Sequence, residues 1–93
     1  MLSQFPIDLE KVSKEDKDKE ILRIGMIAEL DAVSLYEQLA ASTDNENIKK
    51  VMLDIAKEEK THVGEFETLL LQLDKEQVEE TEAGKEEVEE LTG

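Results

Sequence analysis

The sequence predicts an all-α fold: an antiparallel two-helix hairpin that pairs with a second copy into a four-helix bundle and carries a short acidic C-terminal segment. Three observations lead there. Two long runs of good helix formers dominate the chain, the break between them spans only a few residues, and both runs carry apolar residues at alternating steps of four and three. A chain of 93 residues buries a modest core, and with no cysteine its remaining staples are metal and oligomerisation.

Residues 1–12 form an irregular lead that contains the single proline, Pro6. Ser13-Lys14-Glu15-Asp16 has the form of a helix start, with Ser13 as N-cap and acids in the first turn at the positive end of the helix dipole. The first helix runs to about Ala41, interrupted only by Gly25, which costs about 1 kcal/mol against alanine. Thr43 and Glu46 then match a capping box and open a second helix from Asp44 to Leu73, so that residues 13–73 make one hairpin domain. Residues 74–93 hold nine acids and two lysines, a charge of −7 that is half the chain's net −14. This stretch reads as a solvated tail, with a docking segment as the alternative; Gly84 divides it, and Lys85 to Leu91 can form a short helix.

With 25 acidic residues against 11 basic ones, the surface repels nucleic acid and disfavours anionic membranes, and it enriches cations. No segment approaches the roughly 18 consecutive apolar residues of a membrane span, and the N-terminus lacks the regions of a signal peptide. The expectation is a soluble, cytoplasmic protein.

The sharpest signal is the helical stripe. On the first helix it passes through Leu22, Met26, Glu29, Val33, Tyr36 and Ala40, and on the second through Ile48, Met52, Ile55, Glu59, His62, Phe66, Leu69 and Leu73. Glu29, Glu59 and His62 interrupt two otherwise apolar seams, and a carboxylate in a bundle core is costly unless it is paired or metal-bound. Glu29 lies 14 residues before Thr43 and Glu59 lies 16 after it. At 1.5 Å per residue this offset is about 3 Å along the bundle, so all three groups can converge. Glu59 to His62 is the Glu-x-x-His spacing of di-iron bundles, which take that motif from two helices and a lone Glu from each of two others. One chain supplies half of the helices and half of the ligands, and a twofold dimer completes both.

Glu-x-x-His alone is a weak signal in an acidic helix. Glu58 and Glu65 fall off the stripe and read as solvated or intersubunit acids, and His62 is the chain's single histidine. Such a ligand set suits Fe²⁺ and also Mn²⁺ or Zn²⁺, and Ca²⁺ is a further candidate at secondary sites. Glu59 is the natural bridging group and Glu29 a terminal or chelating one. The bland reading is a metal-free dimer that uses buried polar groups to set its register. Tyr36 reads either as a hydrogen-bond partner of a ligand or an electron donor, or as a core aromatic with a satisfied hydroxyl. Met26 and Met52 read as core fillers. A second stripe, Leu53, Ala56, Val63 and Leu70, is expected to face away from the seam and hints at assembly beyond the dimer.

At these residues the sequence resembles the encapsulated ferritins, short two-helix relatives of ferritin. The resemblance rests on Glu29-Leu30-Asp31-Ala32-Val33, Tyr36-Glu37-Gln38, Ala41-Ser42-Thr43-Asp44, and Glu58-Glu59-Lys60 with His62, within residues 20–73. It implies a ferritin-like bundle and a ferroxidase centre shared across a homodimer, with Glu29, Glu59 and His62 given by each subunit. It further implies five dimers in a ring, a decamer, acting inside an encapsulin shell that stores the oxidised iron. The chain is then either separate cargo or a domain of a shell fusion. The family's metal-entry site is kept in part, by Asp31, while Ala28 stands where an acid is expected, and Leu35 replaces an aromatic residue. Competing classes are a rubrerythrin-like di-metal peroxidase, which needs a reductant, and a non-enzymatic acidic adaptor that binds a partner helix through the seam.

Overall fold

The computed structural model describes residues 8–14 and 16–93 and is all-helical. Pro6, most of the expected lead and Glu15 lie outside the described residues. After a 3-10 turn at Leu9–Lys11, helix α1 spans Lys17–Ala41, α2 spans Glu46–Leu73 and α3 spans Lys75–Thr92. The first two lie against each other as the expected antiparallel hairpin, while α3 touches the hairpin sparingly and buries no residue fully. Among the described residues no helix is long and apolar enough to cross a membrane.

The ends of the helices differ from the sequence expectation for local reasons. Ser13 closes a turn ahead of α1 rather than capping it. Its hydroxyl donates to Asp16 Oδ2 at 2.9 Å and its carbonyl accepts from the Asp16 amide at 3.1 Å, so the backbone is diverted until Lys17. At the reversal, Asn45 takes the capping role expected of Thr43. Its extended backbone (φ −78°, ψ 111°) lets Oδ1 accept from the amides of Asn47 and Ile48 at 3.0 and 3.1 Å. Thr43 supports it by accepting from the Asn45 amide at 3.1 Å.

The acidic segment is helical from Lys75 onward, and Gly84 sits inside that helix instead of dividing it. One internal glycine costs about 1 kcal/mol, too little to end a helix of otherwise good formers. Asp74 organises the joint. Its Oδ1 caps α3 by accepting from the Gln77 amide at 3.0 Å, and its Oδ2 meets the Arg23 guanidinium of α1 at 2.9 Å. Asp74 is itself only 8% exposed, which makes it the one buried charged residue among those described.

Within the hairpin, close packing falls on Leu22, Ala40, Ala56 and Leu70. Ala56 and Leu70 were expected on an outward stripe; instead both are buried, at 2% and 4% exposure. Of that stripe, Leu53 stays exposed. The seam pays the difference in water contact: Ile48, Leu69 and Leu73 remain 45–50% exposed, so the apolar face that carries Glu59 and His62 is left half uncovered. Gly25 has a packing role, since a Cβ there would lie 3.2 Å from three ring atoms of Phe66, and the missing side chain lets that ring lie against α1.

Asp74→Ala removes the α3 cap and the partner of Arg23. Loss of the cap costs about 1 kcal/mol, and loss of the ion pair adds little because Arg23 is 42% exposed and keeps Glu20 at 2.8 Å. Hydrogen exchange is expected to accelerate at the first turns of α3 and to stay unchanged through α1 and α2. Unchanged protection in α3 would show that Asp74 does not hold the joint.

Candidate metal centre

Glu29 comes from the middle of α1, and Glu59 and His62 from the middle of α2. The reversal at Asn45 sets the register between them, and one helical turn aligns Glu59 with His62. One ligand atom of each residue lies within 4.8 Å of the others. His62 Nδ1 is 3.4 Å from Glu29 Oε2 and 3.3 Å from Glu59 Oε2, longer than a good N–H···O bond of roughly 2.7–3.2 Å. The two carboxylates are largely covered, at 20% and 19% exposure, whereas His62 is 45% exposed and opens to the seam.

Charge is unbalanced at this spot. Among the described residues no lysine or arginine forms an ion pair with Glu29 or Glu59, and nearby Lys60 is taken by Glu37 at 3.2 Å. One imidazole brings at most a single positive charge against two carboxylates. Two hard oxygens and one imidazole nitrogen, close together and short of a counter-charge, fit a divalent cation of the first transition row. The three residues expected from the sequence are thus brought together.

The other sequence candidates fare differently. Tyr36 is half-buried on α1, and within one chain its hydroxyl makes no hydrogen bond to Glu29, Glu59 or His62. Asp31 is also half-buried, has an interaction of its own, and lies outside the three-residue group. Glu65, read from the sequence as off the stripe, lines a cleft of about 350 Å³ with Glu29, His62, Phe66 and Leu69. Its position three residues after His62 was the available signal, since that step places it one turn along the same side of α2. The Arg23–Asp74 bridge had no sequence signal, because 51 residues separate its partners.

Comparison with known proteins follows the same lines. A family model described as Rubrerythrin matches residues 20–92. The chain is 55% identical, over its full length, to a ferritin-like-encapsulin shell fusion protein of Pyrococcus furiosus, of which it spans 28%. It is 39% identical over 60% of its length to the encapsulin nanocompartment cargo protein EncC of Myxococcus xanthus, spanning 43% of that protein. The chain therefore covers less than half of either relative. Among solved structures, the crystal structure of the encapsulated ferritin domain from Pyrococcus furiosus superimposes with a TM-score of 0.86 at 54% identity, covering 100% of this chain and 97% of that one.

Crowding of the two carboxylates makes a specific demand on stability. In metal-free protein, Glu59→Gln is expected to raise stability by about 1 kcal/mol or more, because it relieves the repulsion of two largely covered carboxylates whose ligand atoms lie within 4.8 Å. Adding Zn²⁺ is expected to raise the melting temperature of the original chain and to leave that of Glu59→Gln nearly unchanged, as measured by calorimetry with and without chelator. An equal Zn²⁺ response in both proteins would remove Glu59 from the site.

Proposed function

The chain belongs to the rubrerythrin family and, within it, to the encapsulated ferritins, and from that premise we propose that it is a ferroxidase that oxidises Fe²⁺ to Fe³⁺ with dioxygen. The observation that carries the reading is the cluster of Glu29, Glu59 and His62, two covered carboxylates and an imidazole without a balancing lysine or arginine. Fe²⁺ is the substrate. Glu29 and Glu59 would hold it through carboxylate oxygens and His62 through a ring nitrogen; each ion would yield one electron, so that two ions and two protons from water reduce one dioxygen to hydrogen peroxide. The carboxylates favour the more highly charged product, which eases removal of that electron.

A single chain offers three protein ligands, too few for a di-iron centre. The half-uncovered seam beside His62 supports pairing with a second copy, which doubles the ligand set and covers Ile48, Leu69 and Leu73. The site is then a di-iron centre across a homodimer interface, and further pairing of dimers gives the larger ring that the family resemblance implies. Relatives described as a shell fusion and a compartment cargo support a place for this chain inside an encapsulin compartment in the cytoplasm, where ferric product is stored. Under this reading Mn²⁺ or Zn²⁺ substitutes for iron without turnover. Tyr36 would act beside the ligands only once a second chain is in place, and Asp31 would serve the approach of metal.

The rubrerythrin match also favours a second reading, a di-metal peroxidase on the same residues. The chain has no cysteine to build a rubredoxin-type electron donor, so this activity would depend on an added reductant.

Anaerobic loading with Fe²⁺ followed by oxygen tests both. The expected result is about one bound ion per chain, and oxidation that falls to the buffer rate in Glu29→Ala, Glu59→Ala and His62→Ala. Undiminished oxidation in all three variants would end the ferroxidase proposal, and a protein that stays monomeric by light scattering while fully active would end the shared centre. Peroxide turnover that requires reductant would move it to the second reading.

A further inference from the structure

The contact between α3 and the hairpin stops halfway along α3. Gln77, Thr81, Gly84, Val88 and Leu91 fall on one stripe at steps of four and three. Gln77 and Thr81 are half-buried and line a groove on the hairpin. Past Gly84 the stripe turns apolar where it has nothing to meet: Val88 is 58% exposed and Leu91 86%. Glu87 and Glu89 flank Val88 on either side. A surface of opposite sign lies on the first half of α2. Lys50, Leu53, Lys57 and Lys60 share one face at steps of three, four and three, and Leu53 is 48% exposed. Lys60 is tied to Glu37 at 3.2 Å, whereas among the described residues Lys50 and Lys57 form no ion pair. Nine residues separate Leu53 from His62, about two and a half turns, so this face points away from the seam.

Within one chain α3 is too short to bring its tip to that face. Leu53 lies 22 residues before Lys75, about 33 Å along α2, whereas Leu91 lies only about 24 Å along α3 from the same joint. We propose that the tip of α3, Val88 and Leu91 between Glu87 and Glu89, docks on the Leu53 face of a second copy of this chain. Mutual burial of the three apolar side chains supplies the attraction. The lysines and glutamates choose the partner, because exposed ion pairs add little affinity but penalise a wrong surface of like charge. Neither the seam nor Glu29, Glu59 and His62 takes part, so the contact is independent of the metal site and joins hairpins that the seam does not. Tip and receiving face are different surfaces of the same chain, so copies add head to tail.

Light scattering of the full chain at low salt measures the assembly. Lys50→Glu with Lys57→Glu, and separately Glu87→Lys with Glu89→Lys, are each expected to lower the mass to about half of the original or less. Joining all four substitutions in one chain pairs opposite signs again and is expected to restore the mass, which separates a lost contact from lost folding. Glu79→Lys with Glu86→Lys makes the same change in net charge on the far side of α3, and is expected to rescue nothing when joined to Lys50→Glu with Lys57→Glu. An original chain no larger than a dimer, an unchanged mass in either double variant, no recovery in the fourfold one, or equal recovery with the control pair would each overturn the proposal.

Discussion

Two carboxylates brought together beside a single imidazole, on a face otherwise built to exclude water, are the constraint around which this hairpin is organised. Most of the local choices in the structure serve to bring them there. Asn45 sets the register of the reversal, so Glu29 and Glu59 meet at one height. Gly25 gives up its side chain, at a cost of about 1 kcal/mol in helix propensity, and the Phe66 ring fills that space along the wall of the cleft. A sequence selected only for a stable hairpin would have put leucines at the three polar positions.

The hairpin also divides its apolar surface into two classes. One part is closed by the chain itself, chiefly at Leu22 and Leu70, and is small. The other, running beside Glu59 and His62, stays open to water over much of its length. Chains of this size rarely hold together on so little burial, and the proposed second copy over the open face would supply what is lacking. The same face carries Glu59 and His62, so under the proposed function stability and activity would draw on one surface.

How much of this was legible beforehand depended on the range of the interactions involved. The two long helices and the three converging residues follow from periodicity and from counting turns on either side of Thr43, which are properties of a single helix or of one short reversal. Caps were legible only in type: Thr43 and Glu46 matched a pattern, yet Asn45 won because its side chain reaches two amides at once. The face of α2 that meets α1 was misjudged at Ala56 and Leu70, since both faces of that helix are apolar and periodicity cannot choose between them. The extent of α3 was hidden by its composition. Many glutamates and one glycine suggest a solvated chain, whereas Asp74 caps the helix at Gln77 and meets Arg23 across the fold. That contact, like the place of Glu65 on the cleft, belongs to the three-dimensional arrangement and has no local signature.

His62 stands 45% open to water while the two acids behind it are largely covered. In the proposed metal site, an isolated hairpin would offer an unfinished half-shell of ligands. Closure by another protomer, as proposed, would expel solvent there and strengthen each ion–ligand contact as the local dielectric falls. Dilution and metal scarcity then become interchangeable stresses: either one loosens the assembly, and an excess of the other offsets it by mass action.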